Sequence, residues 1–423
     1  MHSLKLKTSA SFLLLTLFLS APGYAGEPDK SALKKAGIAA EHIQRLEQVF
    51  QGYVDDRQMA GSVIMLSRRG QVVYQKAFGM QDREAGIPMQ VDTIFRIASQ
   101  TKALVSLGAM ILQEEGRLLL SDPVGKYIPE FMQTTVAEPR NGGGYKIVQA
   151  RRPITIHDLM THTSGVSYGR GTAADLWARA GIQDWYFADR QEPIADTVRR
   201  MAALPFDAQP GERWIYGYSI DILGVVIEKA SGQSLDALLR ERIFNPLGMK
   251  DTYFYLPQDK ANRLAAVYTP LEKVLARAPA AGMDGQGAYV DGPRKSFSGG
   301  AGLLSTAPDY MRFLQMMLNN GELDGKRIIS RKSVELMTVD HLITSEFQPG
   351  NGFGLGFAVT KNPGARGVVG TVGEYGWGGA YHSTYWADPK EQLAVVYFTQ
   401  LRPDTPLKDH DTLRALVYGA LND

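Results

Sequence analysis

The chain has 423 residues, 44% of them hydrophobic, with 46 basic and 44 acidic residues, a formal charge of +2 and no cysteine. A balance this near neutral gives no electrostatic support for nucleic-acid or anionic-membrane binding. The lack of cysteine excludes disulfides, thiol catalysis, thiolate metal sites and a cysteine-linked lipid anchor.

Residues 1–25 read as a signal peptide. Lys5 and Lys7 supply the basic start, and Phe12 to Leu19 is apolar except for Thr16. Gly23 and Ala25 place small residues before a cut ahead of Gly26. The apolar run is far shorter than the ~18–20 residues that span a bilayer, and no later run reaches that length. The expected product is exported by a bacterium, periplasmic or secreted, with no membrane insertion after cleavage. Losing Lys5 and Lys7 leaves 44 basic against 44 acidic residues.

The spacing next predicts a helix over residues 29–50, with a face of Ile38, Ile43, Leu46, Val49 and Phe50. Residues 61–70 and 71–78 read as two strands around a turn at Arg69-Gly70. After Ser99, Leu104, Leu107, Met110 and Ile111 recur at helical spacing, and Gly116 supplies a stop. The middle, about 92–290, reads as helical or irregular, with a helix over 220–229. Strands return at 354–360, 367–372, 382–387 and 392–398, and a helix closes the chain at about 408–421. Hairpins with helices packed on them predict a layered α+β core. The strands from the two ends are expected to share one sheet. The helical middle would form a second lobe, with the site in the cleft between.

The most informative stretch is Ser99-Gln100-Thr101-Lys102. A serine at a helix start with a lysine three residues on puts both side chains on one face. Free N–H groups at that end favour developing negative charge. The hydroxyl needs a base to become nucleophilic, and a buried lysine can serve. Tyr216 stands where a loop meets a helix and can relay a proton beside a lysine. At Gly376-Trp377-Gly378-Gly379-Ala380 the glycines permit close approach of a ligand or another backbone, or mark a bulge. A backbone N–H there can complete an oxyanion hole. Gly165-Val166-Ser167-Tyr168-Gly169 matches the G-x-S-x-G elbow but follows a helix-like segment and leads into a loop, the wrong context. The seven histidines show no metal spacing, and His157 and His162, five apart, do not share a helix face. His382 lies near the third motif and is given no catalytic role. No P-loop or dinucleotide fingerprint occurs, so no cofactor or metal is expected.

The ordered set Ser99-x-x-Lys102, Tyr216 and Trp377-Gly378-Gly379 resembles the family VIII carboxylesterases, within the class C β-lactamase and penicillin-binding-protein superfamily. Residues 152–165, 298–306 and 244–252 add to the likeness, which covers about 38–420. The resemblance implies an α+β, β-lactamase/transpeptidase-like fold. Its mostly antiparallel sheet and flanking helices would come from about 38–90 and 295–420, and an all-helical lobe from about 91–294. It implies Ser99 as the acylated nucleophile and Lys102 as its base, alone or shared with Tyr216. Tyr216 would protonate the leaving group. The N–H groups of Ser99 and Ala380 would form the oxyanion hole, and Trp377, Gly378 and Gly379 would contact substrate. The β-lactamases carry Lys-Thr-Gly at the third motif, where Trp377 stands here, and Tyr-x-Asn at the second, which here reads Tyr216-Gly217-Tyr218. Tyr218 is therefore a rival for the tyrosine role. The expected activity is hydrolysis of short-chain esters, on a small-molecule ester or amide, through an acyl-Ser99 intermediate. The alternatives are a β-lactamase, a D-Ala-D-Ala peptidase, or a penicillin-binding sensor that is acylated without turnover. Arg170 could supply the cation that Trp377 lacks.

Overall fold

An eight-stranded antiparallel sheet organises the computed structural model, which describes residues 29–271, 274–342, 347–403 and 407–423. The export reading, on residues 1–25, lies outside the described residues. In chain order the strands are β1 (Gly61–Arg68), β2 (Gln71–Asp82), β3 (Ile87–Pro88), β4 (Asn351–Phe353), β5 (Ala358–Thr360), β6 (Tyr375–Gly379), β7 (Ser383–Asp388) and β8 (Leu393–Thr399). Across the sheet they run β4-β5-β6-β7-β8-β1-β2-β3, so the two ends of the chain meet where β8 pairs with β1. That register sets Val63 opposite Phe398 and Met65 opposite Val396.

The sheet is covered on both faces, which is why β1 is buried along its whole length. Successive side chains on a strand point to opposite faces. Ile64, Leu66, Val395 and Tyr397 join one cluster with Ile43, Leu46 and Phe50 of α1 (Ala40–Asp55) and, from the chain end, Leu413 and Val417. Val63, Met65, Val396 and Phe398 join the other, with Leu104, Leu107 and Met110 of α2 (Thr101–Glu114). Almost all of α2 is buried, so it is apolar all round rather than striped. It packs on α3 (Ser219–Ser231), which ends at Gly232 in the left-handed conformation at φ +72°. The layers are completed by α4 (Ala307–Leu318) and α5 (Asp409–Gly419).

Several boundaries differ from the sequence expectation. The helix expected over 29–50 is two helices: Asp29 caps Lys30–Lys35, and Gly37 at φ +66° breaks the chain before α1. The strand expected over 354–360 is a hairpin, bent near Gly356 at φ +103°. No strand forms over 367–372. Asn362 caps the short helix Pro363–Arg366, which Gly367 ends at φ +75°, and Val369 and Val372 stay exposed with no sheet face to cover them. The strand that does form, β6, carries the third motif. The middle of the chain also holds two hairpins, Thr135–Pro139 with Tyr145–Gln149 and Tyr268–Leu271 with Val274–Arg277. Gly142, Gly143 and Gly144 lie in the connection of the first.

Candidate active site

The approach to Ser99 is held as a strand: Phe95–Arg96 pairs with Leu304–Ser305, and Ile97 N–H donates to the Leu303 carbonyl. Ala98 then adopts φ +42°, rare for a residue with a β-carbon, while fully buried. Ser99 sits in the 3₁₀ turn Ala98–Gln100 that leads into α2, and Lys102 lies in the first turn of α2. Lys102 is 0% exposed, whereas Ser99 is partly open.

Lys102 Nζ is the hub of the site. It lies 3.2 Å from Ser99 Oγ, 3.3 Å from Tyr168 Oη and 2.7 Å from the Gly300 carbonyl. It also lies 4.5 Å from the centre of the Tyr216 ring, a cation–π distance. The Gly300 N–H donates to Asp221 Oδ1 (3.0 Å), which also accepts from Ser298 Oγ (2.6 Å). Gly300 thus joins the lysine, through its carbonyl, to a carboxyl buried in α3, through its N–H. Glycines at 299 and 300 make this approach possible. A β-carbon at 299 would meet the Ile220 carbonyl oxygen at 2.4 Å, and one at 300 would meet Asp221 Oδ2 at 2.4 Å. Burial pushes the Asp221 carboxyl up, against the pull of Ser298 and Lys102.

Tyr216 and Trp377 meet directly: the indole Nε1–H donates to Tyr216 Oη at 3.1 Å. Trp214, Phe347 and Phe353 extend this into an aromatic wall. Trp214 stacks on Tyr216 at 5.6 Å, and Phe353 meets Trp377 edge-on at 5.3 Å. Tyr218 is elsewhere. It is fully buried, its hydroxyl donates to the Asp184 carbonyl (2.7 Å), and its ring stacks on Trp177. On β6, Gly379 faces the turn before Ser99, where a β-carbon would lie 2.6 Å from the Ile97 carbonyl oxygen. Ala380 follows, partly buried, beside Ala98 and Tyr381.

The elbow-like pentapeptide does different work. Ser167 Oγ accepts the Gly169 N–H (3.2 Å) as a turn brace, while its neighbour Tyr168 reaches the lysine. Burial, with Tyr216 and Asp221 nearby, drives the Tyr168 phenol well above its usual range, so it stays protonated at neutral pH. The sequence reading missed Tyr168. No local spacing ties it to Ser99, and it lies three residues beyond the family-like stretch 152–165. It also missed Asp221, though a lone acid inside the apolar run Ile220-Asp221-Ile222-Leu223 is a legible sign of a paired buried charge. Arg170 is bound through two bonds of 2.6 Å to Asp184. His157 Nε2 lies 3.1 Å from His341 Nδ1, a hydrogen-bonded structural pair.

A serine and a buried lysine at the foot of a helix, under one strand of an antiparallel sheet, define a β-lactamase/transpeptidase-like serine hydrolase. The chain belongs to the β-lactamase family, whose model matches residues 46–419. It is 32% identical over 388 residues to the esterase EstB of Burkholderia gladioli, covering 88% of this chain and 93% of that one. It is 36% identical over 358 residues to the protein Rv1367c of Mycobacterium tuberculosis, covering 82% and 87%. The solved structure of EstCE1, described as a hydrolase with promiscuous acyltransferase activity, matches with a TM-score of 0.77 at 28% identity. That match covers 89% of this chain and 98% of that one.

Proposed function

We propose that this chain is an exported carboxylesterase for short acyl chains and that Ser99 is its nucleophile. The observation that carries the reading is Lys102 Nζ set 3.2 Å from Ser99 Oγ in a buried, otherwise uncharged first turn. Lys102 takes the hydroxyl proton as Ser99 Oγ bonds to the ester carbonyl carbon. The N–H groups of Ser99 and Ala380 stabilise the oxyanion, and Tyr216, held by Trp377, protonates the departing alkoxide. Water then attacks the acyl-Ser99 by the reverse proton path and frees the acid. Tyr168 keeps Lys102 oriented through their 3.3 Å contact.

The wall of Trp214, Phe353 and Trp377 favours an apolar acyl or alcohol group. A β-lactam or peptide carboxylate would need a cation, because an unpaired buried anion is costly. Trp377 carries no charge, and the Arg170 guanidinium is taken by Asp184.

The test is kcat/KM for p-nitrophenyl butyrate against nitrocefin on purified mature protein, with mass spectrometry after a fluorophosphonate probe. The ester should dominate, label should fall on Ser99, and Ser99→Ala should be inactive while Ser167→Ala keeps most activity. Label on Ser167 alone, or a nitrocefin value equal to the ester value, refutes the reading.

A further inference from the structure

Between β6 and β7 the chain reverses through Ala380, Tyr381 and His382, flanked by the Gly379–Ser383 pair. The His382 N–H donates to the Gly379 carbonyl at 3.0 Å. Three-residue hairpin loops end on a residue in the left-handed conformation, where glycine fits without strain. Here that residue is His382, at φ +62° and 4% exposed. Histidine is tolerated there better than most residues, yet it still carries a β-carbon that the turn does not need.

The imidazole is fastened. Its Nε2 lies 2.8 Å from Asp409 Oδ1, and Asp409 is the fully buried first residue of α5. The other Asp409 oxygen accepts from Tyr397 Oη of β8 at 2.5 Å. His410 stacks on His382 at 4.3 Å, and its Nε2 lies 3.1 Å from the His382 carbonyl oxygen. Burial alone would raise the Asp409 carboxyl; His382, His410 and Tyr397 hold it below its usual range. The donor atoms of His382, Asp409 and His410 lie within 4.8 Å of one another. Both Asp409 oxygens are nevertheless taken by hydrogen bonds, and the imidazoles lie face to face at 24°, an arrangement for bracing rather than for enclosing a metal.

The turn is therefore pinned at two points. Gly379 is pressed against the Ile97 backbone, and His382 is tied to α5 and β8. Ala380 lies between them. We infer that His382 and Asp409 are positioning residues for ester hydrolysis, fixing the turn so that the Ala380 N–H meets the oxyanion that forms above Ser99. This rests on the reading of Ala380 as an oxyanion donor. Neither residue touches the substrate. Their contribution is to set the donor in place before the reaction, where a displaced donor stabilises the transition state less.

The test compares an ester with its thionoester counterpart, carrying the same acyl and leaving groups, on wild type and variants. An oxyanion hole shaped for oxygen discriminates against the larger, more weakly accepting sulfur. The wild type should prefer the ester clearly. His382→Gly keeps a residue suited to φ +62° but removes the brace. It should lower kcat on the ester by about tenfold or more, with KM little changed, and shrink the ester-to-thionoester ratio. His382→Gln, whose amide nitrogen can replace Nε2 against Asp409, should restore most of that ratio. Tyr397→Phe should reduce it slightly. The ratio is read on whatever fraction is folded, so poor stability does not mimic the effect. A wild-type ratio retained in His382→Gly overturns the inference. A wild type with no ester preference instead overturns the oxyanion-hole reading beneath it.

Discussion

Gly379→Ala is the sharpest small perturbation of this site, because one methyl group would wedge β6 away from the turn that carries Ser99. The new β-carbon would lie 2.6 Å from the Ile97 carbonyl oxygen, two residues before Ser99. An ordinary carbon–oxygen approach is roughly 3.3 Å, so the two backbones must part by about 0.4–0.7 Å. Misplacing reacting groups by about 1 Å can cost roughly a hundredfold in rate. Scaling the barrier in proportion gives about 1–2 kcal/mol, or about five- to thirtyfold in kcat. The same overpacking should lower stability by about 1–3 kcal/mol. Gly378→Ala is the internal control: one position earlier, its β-carbon would meet nothing closer than the Ser383 carbonyl oxygen at 3.4 Å. The assay is kcat and KM on p-nitrophenyl butyrate with urea unfolding of each variant. Gly379→Ala should lose kcat and urea midpoint together, and Gly378→Ala should keep the wild-type urea midpoint. Equal loss in both, or none in Gly379→Ala, would refute the wedge argument.

The tyrosines should separate by position. Tyr216→Phe should cost at least about a hundredfold in kcat, Tyr168→Phe about tenfold through loss of its Lys102 contact, and Tyr218→Phe little at saturating substrate; a larger loss in Tyr218→Phe contradicts the assignment. His162 is fully buried, and among the described residues neither ring nitrogen has a hydrogen-bond partner; burial first, then Lys102, holds its pKa well below the ordinary 6.5. The unfolded chain takes up that proton below pH 6.5 and the folded one does not, so this stability is present above 6.5 and falls with pH by about 1.4 kcal/mol per unit until the folded residue titrates. Urea midpoints from pH 7 to 5 should fall less steeply in His162→Asn, and an unchanged slope sinks the argument. Protein exported by a bacterial host should begin at Gly26 by mass analysis, and a membrane-retained product that keeps Met1 contradicts export.

What the sequence exposes and what it hides follow from distance along the chain. Ser99 and Lys102 are three apart across the 3₁₀ turn that runs into α2, so local periodicity is enough to pair them. The strand β1 is legible because its apolar run serves two cores at once, Ile64 and Leu66 on one face and Val63 and Met65 on the other. Gly300 and Tyr168 are invisible by the same logic, since they reach Lys102 across 198 and 66 residues. Strand β6 is hidden for a different reason. Its sequence Tyr375-Gly376-Trp377-Gly378-Gly379 runs against strand propensity. The glycines are present for clearance: a β-carbon at 376 would lie 2.3 Å from the Tyr385 carbonyl oxygen, as one at 379 would crowd Ile97. The valines at 369 and 372 show the opposite failure. Their propensity favours a strand, but no neighbour offers edge or core, so the chain stays irregular.

Position 377 links the substrate argument to the proton argument. A tryptophan there removes the cation that a substrate carboxylate would need, and read alone it is only a loss. Its indole N–H instead donates to Tyr216 Oη at 3.1 Å, which fixes the phenol whose ring centre lies 4.5 Å from Lys102 Nζ. The neutral ring also adds apolar surface to the cleft. On the proposed reading, the residue that leaves a substrate carboxylate without a cation is therefore the same one that holds the leaving-group acid in place.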